Sequence, residues 1–555
     1  MKLRTSYFDA TILKKNITRF APAWGLYSAF LLMIFMVILD GDQESVWTAS
    51  NLCESASFMV VANCIYGFVA AQMLWGDLFN SRMCNALHAL PLRREGWFLT
   101  GTAAGLLFAL VPNLMFALSM MPFCGEYWSV ALLWLAASMM QYLCFFGLAT
   151  LSAFLVGSRF AMGLVYVIVN FISMIVYWLL DALYLPSMRG IVLRDEHFIR
   201  FSPVVQMAEN YNMFSVKWEK LDGLIRNVRI VIGEGWGYTG ICAGFGLLAL
   251  VLALLIYRKR HLECAGDLVA VKPLAPVVLV LYTLCVTALC YGFLALFMGT
   301  VADGYAIFGL FIGFFTGKML LERQVRVFRK KNLLGFGVVV LLFFGSLAMA
   351  AFDVLGVVKW VPDADDVASV HISTGGSYYY EANGGITLES KADIEKILYV
   401  HEEGLAQNWE LEGDTVRLNL TYEMESGMRR SREYSIAVAT EAGQILKTYL
   451  SSREAVMNEI ALAGDFKAVE FYDPGTEITD PEALAALLEA IGADCDAGNM
   501  AQDWGFYPET NAYYMALRFL TPDGIHYNLE LRFWEGCENI MQWVDDQSIE
   551  FAKYE

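Results

Sequence analysis

The sequence predicts an α-helical polytopic membrane bundle of about nine spans, followed by an acidic extracellular α+β domain built as a duplicated lobe. Three observations predict this. First, 57% of the 555 residues are hydrophobic and 17% are charged, with a mean hydropathy of +0.47. Soluble domains run nearer half apolar and about a quarter charged. Second, every apolar run of spanning length lies before residue 353. Third, the charge divides at the same place. Residues 1–352 carry 26 Lys and Arg against 19 Asp and Glu, whereas residues 353–555 carry 13 against 38. These figures exclude a water-soluble enzyme over the whole length. The 14% aromatic content excludes a disordered chain, which cannot leave so much apolar surface solvated. The domains are therefore 1–352 and 353–555, with lobes at about 363–460 and 461–555.

Taken in order, residues 7–20 predict an amphipathic helix. Phe8, Ile12, Ile17 and Phe20 share one side, and Lys14, Lys15 and Arg19 face membrane lipid headgroups. No small-x-small cleavage site follows the first apolar run, so no cleaved signal is expected. Runs of about 18 or more apolar residues are read as spanning helices. They lie at roughly 22–39, 56–76, 98–121, 128–156, 160–185, 236–257, 275–298, 304–321 and 333–352.

Orientation follows from Lys and Arg placement. With the N-terminus cytoplasmic, the inside segments 1–21, 77–97, 157–159, 258–274 and 322–332 hold five, three, one, four and five of them. The outside loops 40–55, 122–127 and 299–303 hold none. Loop 186–235 is long and mixed, with seven basic against six acidic residues. An odd span count then places the acidic domain outside a bacterial cell membrane.

Glycines at intervals of four (Gly101 with Gly105, Gly240 with Gly244, and Gly309, Gly313 and Gly317) predict close helix packing. The stretch Gly313 to Lys318 fails as a phosphate loop, because its spacing is one residue short and no Ser or Thr follows the lysine. Asn63, Gln72, Asn113, Gln141 and Asn170 are polar groups inside spans. Each is either a translocation-path candidate or an interhelical hydrogen-bonding residue.

Three inside-facing stretches carry recognisable motifs. The first runs Asn80-Ser-Arg82-Met83-Cys-Asn-Ala-Leu87-His88-Ala-Leu90-Pro91-Leu-Arg93-Arg94-Glu95-Gly-Trp97. The second runs Tyr257-Arg258-Lys-Arg260-His-Leu-Glu263-Cys-Ala-Gly266-Asp267, and the third Glu322-Arg-Gln-Val-Arg326-Val327-Phe328-Arg329-Lys330-Lys331. In this order they resemble the "L-H-x-L-P-x-x-R", "Y-R-x-R-x-x-E-x-A-G-D" and "R-V-F-K-K" segments of permease subunits of exporter-type ABC transporters, the type-2 exporter class of Gram-positive bacteria. The resemblance covers residues 1–352. It implies a short helix at 80–90 that docks on an ATPase subunit through Met83, Leu87 and Leu90, with His88 beside them. Pro91 ends that helix, since proline disfavours helix in the residue before it. Arg93, Arg94 and Glu95 are expected at the rim, and Glu263 and Gly266 in the second segment. The same resemblance implies a second copy or a related permease. The chain carries no ATP-site signature, so no cofactor is expected in it, and ATP and Mg belong on the partner ATPase.

The acidic domain predicts two similar lobes. Strands at Val367–Ile372 and Phe466–Phe471 are each followed by a loop and a helix, at 391–403 and 481–492. Thr479-Asp-Pro-Glu482 reads as a capping box. Hairpins Val416–Met424 with Glu433–Val438, and Tyr513–Leu520 with Ile525–Phe533, follow, the second turning at Asp523-Gly524. Closing helices are expected near 441–458 and 537–546. His371, His401 and His526 lack metal-ligand spacing, so no metal site and no catalytic residue is assigned. The strong negative charge argues against nucleic acid and anionic lipid. A disulfide between Cys495 and Cys537 is permitted on the outer side. The functional expectation is a permease subunit forming an export pathway for a peptide, antibiotic or lipid-like substrate, with ATP hydrolysis on a separate subunit. The alternative is a membrane sensor that binds an extracellular ligand without transport. A membrane enzyme ranks third.

Overall fold

The computed structural model describes residues 8–40, 45–88, 93–193, 196–209, 214–221, 224–233, 235–260, 275–298, 304–374, 385–406, 415–463, 465–471, 476–500, 513–520 and 526–549. The chain forms two compact units. One comprises residues 1–183 and 194–346, the other residues 184–193 and 347–555.

In the first unit, α1 (Ala10–Arg19) is the amphipathic helix. Asp9 caps it by accepting from the amides of Thr11 and Ile12. Leu13, Ile17 and Phe20 pack on the bundle core, while Lys14 and Lys15 stay exposed. Helices α2 (Ala21–Leu39), α3 (Ser45–Trp75), α4 (Ser81–His88), α5 (Arg94–Met120), α6 (Ser129–Leu155) and α7 (Arg159–Leu183) follow. After the short helices α8 (Glu196–Ile199) and α9 (Pro203–Glu209) and the hairpin β1 (Phe214–Leu221) and β2 (Leu224–Ile232) come α10 (Gly235–Lys259), α11 (Ala275–Met298), α12 (Tyr305–Glu322) and α13 (Lys330–Ala351). Among the described residues, nine of these helices are long and apolar enough to cross a membrane: α2, α3, α5, α6, α7 and α10 to α13. Each coincides with one of the expected runs.

Two expectations change in detail. Residues 45–55, expected in a loop, form the first turns of α3. At 31 residues that helix is about 46 Å long, against a hydrocarbon core of about 30 Å. Glu54 is exposed on it and does not end it. A helix stops where capping or packing stops it, and a charge beyond the bilayer does not. Loop 186–235 is also largely structured. Val204 and Met207 of α9 are buried against Val60, Phe145 and Cys242, and Phe214 and Val216 of β1 join the main core. Segment 184–193 belongs instead to the second unit.

Glycine packing follows two of the three stripes. A Cβ on Gly105 would strike Phe146 and Leu74, and one on Gly309 or Gly313 would strike the α11 backbone at Thr287 or Thr283. Gly240 and Gly244 meet nothing within 4 Å. The close approach of α10 to α6 uses Gly246 against Gly147.

In the second unit, the first lobe runs β3 (Val367–Thr374), β4 (Ile386–Leu388), α14 (Lys391–Ala406), β5 (Thr415–Met424), β6 (Arg429–Ala437) and α15 (Glu441–Leu450). Helix α16 (Arg453–Ala463) precedes the second lobe. That lobe runs β7 (Asp465–Phe471), β8 (Thr476–Ile478), α17 (Pro481–Asp496), β9 (Tyr513–Leu520), β10 (His526–Phe533) and α18 (Glu538–Asp546). The sheets are antiparallel, with orders β4-β3-β5-β6 and β8-β7-β9-β10. Each has a register shift near the start of its first strand, at Val367/Ser369 and at Phe466/Ala468. Burial alternates along β5, where Val416, Leu418, Leu420 and Tyr422 face the core.

The short strands β4 and β8 were expected as loops, because three residues are too few to show alternation. The expected helix 441–458 is broken at Ser451-Ser452, where the Ser452 hydroxyl accepts from the Ala455 amide and starts α16. Asp480, rather than Thr479, caps α17, accepting from the Ala483 amide at 3.1 Å. The Asp523-Gly524 turn lies outside the described residues. Cys495 and Cys537 are both buried and unbridged. The bridge allowed by the sequence is not formed, and the Cys537 thiol donates instead to the Asn499 carbonyl at 3.3 Å. The neighbouring Asp494 carboxylate is fully buried and accepts the amides of Asn539 and Ile540 at the start of α18.

Candidate functional site

The candidate site is the end of the bundle where α3 finishes and α5 begins. Gly76–Phe79 forms a single tight turn, and the Asn80 side chain then accepts the Arg82 amide at 3.0 Å. This starts α4, a helix of eight residues. On it Cys84 is buried and Met83 is 42% exposed. Leu87 and His88 lie in its last turn. Leu90 and Pro91, with Glu263 and Gly266, lie outside the described residues. The Arg19 guanidinium holds Asp77 through two contacts of 3.0 and 3.3 Å, which pins α1 to the turn before α4.

Arg93 stands in extended backbone directly before α5. Arg94 Nη1 donates to the carbonyls of Tyr257, Arg258 and Arg260 at 3.3, 3.3 and 3.0 Å. These oxygens belong to the last turn of α10 and the residue beyond it, where carbonyls lack intrahelical donors. The same guanidinium lies 5.8 Å from the centroid of the Tyr257 ring. Glu95 completes the clamp with an ion pair to Arg258, Oε1 to Nε, at 3.2 Å. Arg260 Nη1 in turn donates to Ala153 and Phe154 carbonyls at the end of α6, at 3.0 and 3.2 Å. Beneath these arginines an aromatic cluster joins four helices. Trp75 stacks on Phe98 at 5.3 Å, and Tyr257 meets Phe154 at 5.1 Å and Trp97 at 5.7 Å.

Arg94 and Glu95, expected to make charged contacts at the rim of the docking helix, make contacts within the chain. Sequence reasoning missed this role. The available signal was a basic helix end (Arg258, Lys259, Arg260) paired with Arg-Glu at a helix start. It identifies charges that are able to meet and leaves their partner unspecified.

Three of the five polar span residues converge elsewhere in the bundle. The Tyr27 hydroxyl donates to Asn63 Oδ1 at 2.9 Å and also lies 3.2 Å from Asn113 Oδ1. Asn63 Nδ2 donates to Gln141 Oε1 at 3.0 Å, and Gln141 Nε2 to the Ala56 carbonyl at 3.0 Å. The Ser138 hydroxyl accepts from Asn63 and donates to Asn113 Oδ1 at 3.2 Å. A separate polar contact beside this centre follows from Pro112 inside α5. Having no N–H, it leaves the Phe108 carbonyl without its helical donor. The Tyr66 hydroxyl takes that carbonyl at 3.0 Å. Asn170 stands apart, its Nδ2 donating to the Tyr166 carbonyl, while its backbone carbonyl accepts from the Ser202 hydroxyl at 2.6 Å. Gln72 is half-buried outside the network.

In the second unit, His401 is fully buried, with Nδ1 3.0 Å from the Tyr422 hydroxyl. Burial, and then the nearby Arg432 charge, hold it near neutral by lowering its pKa to about 4. His371 sits 3.0 Å from the Thr387 hydroxyl across β3 and β4. Among the described residues, no group of three or more His, Cys, Asp or Glu is arranged to hold a metal.

No protein-family model matches the chain, and no curated protein or solved structure matches it either.

Proposed function

We propose that the chain is the membrane-embedded subunit of an ABC-type exporter, powered by separate ATPase subunits that dock on α4 and the turns around it. The observation that carries this reading is the clamp of Arg94 and Glu95 onto residues 257–260. Two segments far apart in sequence, each resembling a permease motif, meet at one end of the bundle. A short helix with an exposed apolar residue, Met83, lies in the same stretch. A docked ATPase that moved α4 would pull on the ends of α10 and α6 through Arg94 and Arg260. Such a linkage is what energy coupling requires. ATP and Mg then reside on the partner, and a second copy or a related permease completes the pathway.

The placement of the C-terminal unit outside the cell belongs to the same proposal. Residues 184–193, directly after α7, and residues 347–555, from the end of α13, form one compact unit. An even number of crossings must therefore separate them, and four candidate spans do so. With the basic segments inside, that unit lies outside. Its two sheets share strand order and element order, which supports an origin by duplication.

The attachment of segment 184–193 also favours a second reading, a sensor. A ligand-driven change in the C-terminal unit would reach α7 as well as α13 without any transport. Purifying the full chain from its native membrane and identifying copurified proteins by mass spectrometry tests the first reading. An ATPase subunit is expected, with hydrolysis stimulated by substrate. A complex without an ATPase, containing a signalling partner instead, overturns export and leaves the sensor.

A further inference from the structure

Next to the end of α13 the second unit contains a cavity of about 430 Å³, lined by the Leu355–Val357 turn, Trp360, Arg430, Ser431 and Arg432. Arg430 and Arg432 alternate along β6, so they project from one face of the sheet. Their guanidinium carbons lie 4.3 and 5.3 Å from the centroid of the same Trp360 ring. Two like charges share one aromatic ring in a region that carries 38 acidic residues against 13 basic ones. Nevertheless, among the described residues neither forms an ion pair. Their neighbours Arg417 and Arg429 do, with Glu433 and Glu423. Arg432 is only 6% exposed. Its Nη2 donates to the Val357 carbonyl at 2.8 Å, while its buried Nε has no hydrogen-bond partner among the described residues. The carboxylate that does act on Arg432, that of Asp353, is occupied by the amides of Val358 and Lys359 at 2.9 Å each.

A buried, half-used guanidinium beside a second unpaired one is a site short of an anion. The surroundings identify its source. Leu347–Ala351, the last residues of the spanning helix α13, belong to this unit. Immediately after them Phe352, Val354 and Leu355 are 78%, 63% and 76% exposed. Large apolar side chains left uncovered directly beyond a span sit at the membrane interface, where the abundant anion is the phospholipid phosphate. Trp360 has the interfacial amphipathic character that such a depth favours. We propose that Arg430 and Arg432, stacked on Trp360, bind the phosphate of an anionic phospholipid in the leaflet that faces this unit, with Phe352 and Leu355 against its acyl chains. The site is local and basic, in contrast to the net charge of the domain, which argued against anionic lipid. It depends on α13 crossing the membrane and not on the export reading.

The test uses the delipidated full chain in a mild detergent, with native mass spectrometry as the readout. It is titrated in parallel with phosphatidylglycerol, with phosphatidylcholine and with inorganic phosphate. Arg430 is exposed, so R430Q and R430E should fold, and their thermal unfolding is compared with that of the wild type. The wild type is expected to retain one phosphatidylglycerol that R430Q binds roughly fivefold more weakly, the loss of one interfacial cation. R430E should weaken it further, and phosphatidylcholine should show a smaller difference. Equal phosphatidylglycerol retention by wild type, R430Q and R430E, with no stabilisation by inorganic phosphate that R430Q removes, overturns the site. Stabilisation by inorganic phosphate that R430Q abolishes, without a difference in lipid retention, overturns the lipid source and assigns the cavity to a free anion.

Discussion

Arg94 both donates to the Tyr257 carbonyl at 3.3 Å and lies 5.8 Å from the centroid of that residue's ring. One guanidinium therefore closes the end of α10 while standing in the first turn of α5. The bond is charge-assisted and partly shielded, and it ties two segments that are 163 residues apart.

Replacing Arg94 by Ala should lower thermal stability by about 1.5–3 kcal/mol, the range for a lost hydrogen bond to a charged group. R94K should recover only part of it, because an ammonium cannot reproduce the planar fork. Thermal unfolding of the detergent-solubilised chain checks this. R82A is the reference, since the Arg82 side chain is exposed at the start of α4. Equal shifts for R94A and R82A would show that the clamp contributes nothing.

Met83→Asp and Leu87→Asp in α4 should abolish copurification of an ATPase subunit while the protein still inserts and unfolds near the wild-type temperature. An intact complex in both variants would move the docking surface away from α4.

A single cysteine at Thr448, exposed on α15, should react with a membrane-impermeant maleimide on intact cells. The native Cys495 and Cys537 are buried and should react slowly. Labelling only after permeabilisation would reverse the orientation, placing the N-terminus and the basic loops outside.

His401 makes the first lobe acid-sensitive. Its folded-state pKa, about 4, lies below the ordinary histidine value of 6.5. The unfolded chain therefore takes up a proton before the folded one does. The stability contributed by neutral His401 is fully present above pH 6.5 and is lost as pH falls toward 4, at up to about 1.4 kcal/mol per pH unit. His401→Gln should flatten that part of the profile while costing stability at neutral pH. Chemical denaturation across this range is the measurement, and parallel profiles for the two proteins would assign the acid sensitivity elsewhere.

The spans, the amphipathic α1 and most strands of the second unit were legible because each depends on local periodicity. An apolar run long enough to cross a bilayer needs no partner to be read, and neither does the alternation of Val416, Leu418, Leu420 and Tyr422. The three-residue strands β4 and β8 were not legible, because their hydrogen bonds come from β3 and β7 and not from their own pattern. In the candidate site, residues 80–95 and 257–260 were marked by composition and resemblance. The pairing of Arg94 with the α10 carbonyls was not, because a free carbonyl has no letter in the sequence.

By itself, then, the sequence determined which stretches are long and apolar enough to cross a membrane, the partition of charge and the two-lobed succession of strands and helices. All of these follow from how each short stretch partitions between water, lipid and its own backbone hydrogen bonds. The tertiary structure alone decided that Asn63, Asn113 and Gln141 share one hydrogen-bonded centre with Tyr27. It also decided that residues 184–193 join the C-terminal unit through Gly190, whose carbonyl accepts the Glu433 amide at 3.1 Å. Finally, it set Arg430 and Arg432 on one tryptophan. The physical reason is common to all three. A polar or charged group takes the neighbours that the fold brings beside it, and sequence distance places no limit on where those come from.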